Sequence, residues 1–157
     1  MIRAVKKEEL SVCLSVLQES YEASAVYFGM TEENCPYRGR TRLPFSVLEQ
    51  EFESSQMYVY VCDEKIVGFL SLQQEGEILH LNDIALLPGE QGKGFGTKLM
   101  EFAHEQAKTA GCMSIRLGMV HDNLRLRNWY ESIGFETVKL KKYEKVTYTV
   151  GTMEKKL

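Results

Sequence analysis

The feature that most constrains this chain is a run of strand formers that empties into a glycine cluster. Residues Ile78 to Leu87 are rich in Leu and Ile, and they lead into Pro88-Gly89-Glu90-Gln91-Gly92-Lys93-Gly94-Phe95-Gly96. Leu99, Phe102, Ala103 and Ala107 then recur with helical spacing. Strand, glycine loop and helix in that order leave backbone N–H groups free at the positive end of the helix dipole, with no side chains to hold a phosphate away. One glycine would serve a tight turn; three within five positions after Gln91 favour an anion site. Spacing narrows the anion. A P-loop needs lysine after its last glycine, and Gly94 is followed by Phe95. The dinucleotide fingerprint fails as well, because Gly92 and Gly94 would require glycine where Thr97 stands, and the loop lies mid-chain after a hairpin pattern.

The flanking segments predict a mixed sheet. Ile2 to Val5 reads as a short strand, and Leu10, Cys13, Leu14, Leu17 and Tyr21 share one helical face. From Ser20 to Leu43 the periodicity fades and Tyr21, Tyr27, Phe28 and Tyr37 mix with Gly29, Asn34, Pro36 and Gly39, so an irregular excursion is expected there. Pro44 can open a second helix carrying Phe45, Leu48 and Phe52. Met57 to Cys62 and Ile66 to Leu72 flank Asp63-Glu64-Lys65 as a hairpin. Beyond the glycine loop and its helix, Gly111 gives way to a strand from Cys112 to Val120. Leu126, Trp129, Tyr130 and Ile133 then form a helical stripe ending at Gly134. Two last strands are expected at Val138 to Leu140 and Val146 to Met153. The predicted fold is α/β, one domain over residues 1–157, with a mixed sheet and helices on both faces.

Composition removes several function classes. With 157 residues, 44% hydrophobic and 26% charged, the chain can bury a core, and disorder is excluded. The formal net charge of -3 and the absence of a long basic run argue against a nucleic-acid partner. No apolar stretch approaches the length of a membrane span, so a soluble, unprocessed cytoplasmic protein is expected. Cys13, Cys35, Cys62 and Cys112 are scattered without a Cys-x-x-Cys pair, which predicts reduced thiols. His80, His104 and His121 lack ligand spacing, so no metal is expected, and His104 reads as a solvated helix residue.

What remains of the loop is Gln91-x-x-Gly94-x-Gly96, followed at a fixed distance by Asn123-x-x-Leu126-x-x-x-Tyr130-x-x-x-Gly134-Phe135. With the strand ending Ile84-Ala85-Leu86-Leu87-Pro88, this pattern resembles the GNAT superfamily of acetyl-CoA-dependent N-acetyltransferases. The resemblance covers roughly Ile78 to Phe135, and the order of elements agrees across nearly the full chain. It implies parallel fourth and fifth strands that splay around the cosubstrate, acetyl-CoA. It implies that amides of Gln91, Gly92, Lys93, Gly94, Phe95, Gly96 and Thr97 hold the pyrophosphate, with charge added by Lys93 and Lys98. It further implies that pantetheine pairs with the backbone of Ala85, Leu86 and Leu87, and that the N–H of Leu86 or Leu87 polarises the thioester carbonyl. Asn123 is similar to the residue that bonds pantetheine, and Tyr130 to the acid that protonates the departing thiolate, a task suited to a phenol that keeps its proton at neutral pH.

Each residue also has a plain structural reading. Tyr130 fits a core stripe and Asn123 fits a helix N-cap, a role that leaves its amide donor free. The family's strand-five glutamate has no counterpart in Ser114-Ile115-Arg116-Leu117-Gly118-Met119-Val120. Asp83, with His80 three residues earlier, is the candidate base, and a water chain is the alternative. Acceptor binding is expected in the Ser20 to Leu43 excursion, with Tyr27, Phe28 and Tyr37 as candidate wall residues, in the second helix, and near Tyr143 to Tyr148. The expected acceptor is the primary amine of a small molecule, with a homodimer left open. A protein N-acetyltransferase and a non-catalytic CoA-binding module are the rival functions.

Overall fold

The computed structural model describes residues 1–27, 39–144 and 146–157. Phe28 and Tyr37, two of the expected wall residues, and Cys35 lie outside the described residues. The described chain runs β1 (Ile2–Ala4), α1 (Leu10–Tyr27), a 3-10 turn (Gly39–Arg42), α2 (Phe45–Ser54), β2 (Gln56–Cys62), β3 (Lys65–Glu75) and β4 (Ile78–Leu86). It continues through α3 (Phe95–Thr109), β5 (Ser114–Val120), α4 (Leu124–Ser132), β6 (Glu136–Lys142) and β7 (Thr149–Lys156). The seven strands form one sheet in the order β1-β2-β3-β4-β5-β7-β6. All neighbours are antiparallel except β4 and β5, which run parallel. The mixed sheet and the parallel central pair match the α/β expectation.

Local chemistry accounts for most boundaries. The β2–β3 hairpin turns at Asp63 and Glu64, both with positive φ (50° and 64°), the backbone that a two-residue turn matched to strand twist requires. Helices α3 and α4 stop before Gly111 and Gly134, at φ 74° and 102°. Helix α1 departs from expectation by continuing to Tyr27. Ser20 to Tyr27 carries no glycine or proline, and Ala23, Ala25 and Glu22 are strong helix formers, so the helix persists after its apolar stripe ends. The final strand begins at Thr149 rather than Val146, because pairing with β6 starts at Lys142↔Thr149.

The sheet has a core on each face. On one side α3 and α4 cover Leu79, Leu81, Leu99, Ile115, Leu117, Tyr130 and Phe135; on the other, α1 and α2 cover Leu17, Leu48, Val59, Phe69 and Ala85. A bulge in β4 decides which side chains face which core. Ser71 pairs with Asp83 but Leu72 pairs with Leu81, so Asn82 is an extra residue. Leu79 and Leu81 therefore join the α3 core, and after the bulge Ile84 and Leu86 do so instead, turning Asp83 and Ala85 towards α1.

Candidate active site

The loop after β4 ends in Gly94, which caps α3 at φ 85°, and Gly92 lies at φ 79°. Both are backbone states that side chains resist, and a Cβ at either would meet nothing within 4 Å. The glycines are thus required by the turn and leave open space in front of it. Among the described residues, the N–H groups of Gly92, Lys93, Gly94, Phe95, Gly96 and Thr97 have no acceptor; the first bonded amide is that of Lys98, to the Gly94 carbonyl at 3.2 Å. Six unpaired donors at a helix N-terminus make a site suited to an anion of phosphate type. The Lys93 ammonium bonds Glu90 at 3.0 Å, so its charge is shared within the loop. Phe95 stacks on Tyr60 with centroids 4.6 Å apart, anchoring the start of α3 to the sheet.

Beside the loop, β4 and β5 separate. Their parallel pairing runs from Ile78↔Ser114 to Leu81↔Leu117, yet β4 continues to Leu86 and β5 to Val120. The bulge at Asn82 stands where pairing stops. In the β4 half, the Leu87 amide donates to Val67 on β3 at 2.9 Å. Donors alternate along a strand, so the Leu86 amide points the other way, into the gap. Of the two amides considered for polarising a carbonyl, only Leu86 is free to do so.

Tyr130 sits on α4 at the opposite wall. It is buried, in ring contact with Trp129 (5.0 Å) and Phe135 (5.6 Å), so the core-stripe reading holds as far as packing goes. Burial also pushes its phenol above the usual range, which keeps it protonated. Asn123 caps α4, its Oδ1 accepting the Leu126 amide at 3.1 Å; its Nδ2 has no partner among the described residues.

Asp83, turned by the bulge, is held on the α1 side of the gap. Arg40 Nε and Nη2 bond its two oxygens at 3.0 and 2.7 Å, and Tyr21 Oη donates to Oδ1 at 3.3 Å. Arg40 simultaneously grips Glu51 on α2, at 2.9 and 3.0 Å. Burial raises the Asp83 carboxyl above its ordinary value against the pull of Arg40. Burial likewise opposes the charge of Arg40, and the bonds to Glu51 and Asp83 more than offset it. His80, the neighbouring candidate, faces Glu75 at 3.2 Å instead. Tyr21 and Arg40 lie in the segment expected to bind the acceptor and Glu51 in the second helix, but nothing in the sequence tied them to Asp83: Tyr21 fell on the apolar stripe of α1, and its partner lies 62 residues away.

Tyr27 ends α1 with 74% of its surface exposed. A cleft of about 430 Å³ lies between α1, the 3-10 turn and the loop after β4, lined by Gln18, Glu19, Glu22, Thr41 and Pro88, without Tyr27. His104 departs from expectation. It is half-buried, with Nδ1 2.7 Å from the Met100 carbonyl and its ring against Phe135.

Residues 23–135 match the acetyltransferase (GNAT) family, well over half the chain and including both walls of the gap. The chain belongs to the GNAT family. Among curated proteins this GNAT chain is 30% identical over 88 residues to YdhI, an uncharacterized protein of Bacillus subtilis (strain 168), covering 50% of the chain and 54% of YdhI. It is 34% identical over 59 residues to the thialysine N-epsilon-acetyltransferase of Mus musculus, covering 38% of the chain and 35% of that enzyme. The matches thus span about half, or about a third, of these relatives' lengths. In fold, it resembles the PaiA N-acetyltransferase of Thermoplasma acidophilum in complex with coenzyme A (TM-score 0.77, 20% identity, 100% of this chain and 98% of that one). The ribosomal-protein-S18-alanine N-acetyltransferase of Escherichia coli is as similar, with TM-score 0.80 and 16% identity over 99% of this chain and 92% of that one.

Proposed function

We propose that this protein transfers an acetyl group from acetyl-CoA directly to the primary amine of a small molecule. The observation that carries this reading is the alignment of unpaired donors: six amides at the α3 cap and the Leu86 amide in the adjoining gap, all open at once. The loop amides suit the pyrophosphate of acetyl-CoA and the gap suits an extended pantetheine arm, whose amide groups would pair with β4 near Ala85 to Leu87 and with Asn123 Nδ2. The Leu86 N–H is the oxyanion donor as the amine attacks the thioester carbonyl. Tyr130, kept protonated by its burial, gives its proton to the sulfur as the C–S bond breaks. The carboxylate that receives the amine's proton is Asp83. The acceptor enters through the α1 cleft between Gln18, Glu19, Glu22, Thr41 and Pro88.

Nitrogen as the acceptor atom is supported by relatives whose names state N-acetyl transfer. The deciding experiment follows thiol release from acetyl-CoA across a panel of small amines and lysine- or alanine-terminated peptides. Turnover with small amines and none with peptides is the expected result. Faster turnover of a peptide reverses the acceptor assignment, and CoA binding without thiol release from any amine leaves a binding module.

A further inference from the structure

Asp83 has a carboxylate with no exposed side-chain surface, sealed by Arg40 on one side and Tyr21 on the other. No acceptor amine touches it in this arrangement. Among the described residues the one hydroxyl bonded to it is that of Tyr21, which is itself half-buried and lies beside the charges of Asp83 and Arg40. Tyr21 and Tyr130 come from helices on opposite faces of the sheet, and Asp83, which Tyr21 bonds, stands on β4 just beyond the point where its pairing with β5 stops. Among the described residues Arg40 is shared by two carboxylates, Asp83 and Glu51.

Resting on the transferase reading above, we propose that Tyr21 is a further catalytic residue, relaying the acceptor's proton to Asp83, with Arg40 as the positioning residue that fixes the carboxylate for it. The bound ammonium gives one proton to Tyr21 Oη while the hydroxyl proton of Tyr21 passes to Asp83 Oδ1. One N–H bond and one O–H bond break, and two O–H bonds form. The freed nitrogen pair attacks the thioester carbon. Tyr21 ends as it began, and Asp83 ends as a neutral acid that later returns its proton to solvent. The second ammonium proton leaves as the tetrahedral adduct collapses and replaces the one that Tyr130 has given to sulfur. Burial, which holds Asp83 above its ordinary range, makes it a better proton acceptor than an exposed aspartate. Among the described residues, the charged and titratable groups facing the relay are Arg40 from the 3-10 turn, Glu51 from α2 and Tyr130 from α4.

The test is Tyr21→Phe in the full chain, which removes one oxygen and leaves Asp83 bonded to Arg40. The acceptor is whichever of n-butylamine, 1,4-diaminobutane, L-lysine and a lysyl tripeptide releases thiol fastest with the unsubstituted protein. At saturating amine the variant's kcat at pH 7 falls by about 10²-fold or more. It then climbs about tenfold per pH unit towards the amine's own pKa, because only amine already neutral can react, while the unsubstituted protein stays flat above the titration of Asp83. Coenzyme A affinity, measured by calorimetry, stays within about twofold. Asp83→Asn, read in the same way, shows the same slope. A Tyr21→Phe variant that keeps its kcat, or loses it by one factor at every pH, overturns the relay while leaving the transferase reading intact. Unsubstituted protein that binds coenzyme A but releases thiol with none of the four amines overturns both.

Discussion

A single side-chain atom separates two roles at Asn123, because its oxygen caps α4 and its nitrogen has no partner among the described residues. Asn123→Asp keeps the accepting oxygen and removes the donor, so melting should be nearly unchanged while coenzyme A binds more weakly. Asn123→Ala also loses the cap, at about 1 kcal/mol. If both variants bind coenzyme A normally, Asn123 is a cap alone. For Tyr130, replacement by Phe retains the contacts to Trp129 and Phe135 but leaves no proton to give; kcat should drop about 10²-fold with coenzyme A affinity preserved. Full activity, with chemistry rate-limiting, would return it to the core. Glu9 tests acid stability. Two hydrogen bonds from Arg3, at 2.7 and 3.0 Å, outweigh burial and hold its carboxyl at about 2. Its folded pKa is depressed, so its contribution is present above about pH 4.5 and is lost as pH falls towards 2. In urea titrations over that window, Glu9→Gln should flatten the fall of the midpoint.

At the scale of elements, the β4–loop–α3 unit couples a conformational need to a binding surface. Gly94 stands at φ 85° with open space beyond it, so Gly94→Val strains the turn by about 1–2 kcal/mol and fills the space proposed for phosphate. Coenzyme A affinity should fall by at least about tenfold, since each charge-assisted hydrogen bond is worth about 1.5–3 kcal/mol, in a protein whose circular dichroism is unchanged. Unaltered affinity in the folded variant would mean that the loop is only a turn. Gly68 on β3 has the opposite constraint. A Cβ there would stand 2.8 Å from Leu86 Cδ2 and 3.1 Å from Tyr60 Cβ, so Gly68→Ala overpacks the β3–β4 contact. Destabilisation of about 1–3 kcal/mol in chemical melts is expected, together with a raised KM for acetyl-CoA as Leu86 is pushed from the gap.

The whole molecule places its two cores on opposite faces of one sheet and opens that sheet only where β4 and β5 part. On the proposed binding mode, acetyl-CoA in this opening would tie α3, α4 and both central strands together. Acetyl-CoA at 100 times its Kd should therefore stabilise the fold by about 2.7 kcal/mol, which for a chain of this size is about 5–11 °C in Tm. NAD and ATP at equal concentration should shift it far less, because neither the P-loop nor the dinucleotide spacing is present. A larger shift with either nucleotide than with acetyl-CoA would remove the cosubstrate assignment.

Properties set by neighbours in the chain were determined by the sequence alone. The glycine loop and the helix stops at Gly111 and Gly134 depend on backbone states that glycine permits, the hairpin showed as a short polar link between two apolar runs, and hydrophobic period identified nearly every strand and helix. The helical extent of Ser20 to Tyr27 was obscured because a helix can outlast its apolar stripe. Only the tertiary structure decided which amide faces the gap, since that depends on the pairing of Leu87 with Val67. It alone turned Asp83 towards α1, through one extra residue at Asn82 that reverses the side-chain alternation. It alone joined Tyr21, Arg40 and Asp83, which stand 43 and 62 positions apart along the chain from that aspartate. Contacts at such separations leave no periodic trace; they exist only once sheet register and helix placement have brought the side chains within hydrogen-bonding reach.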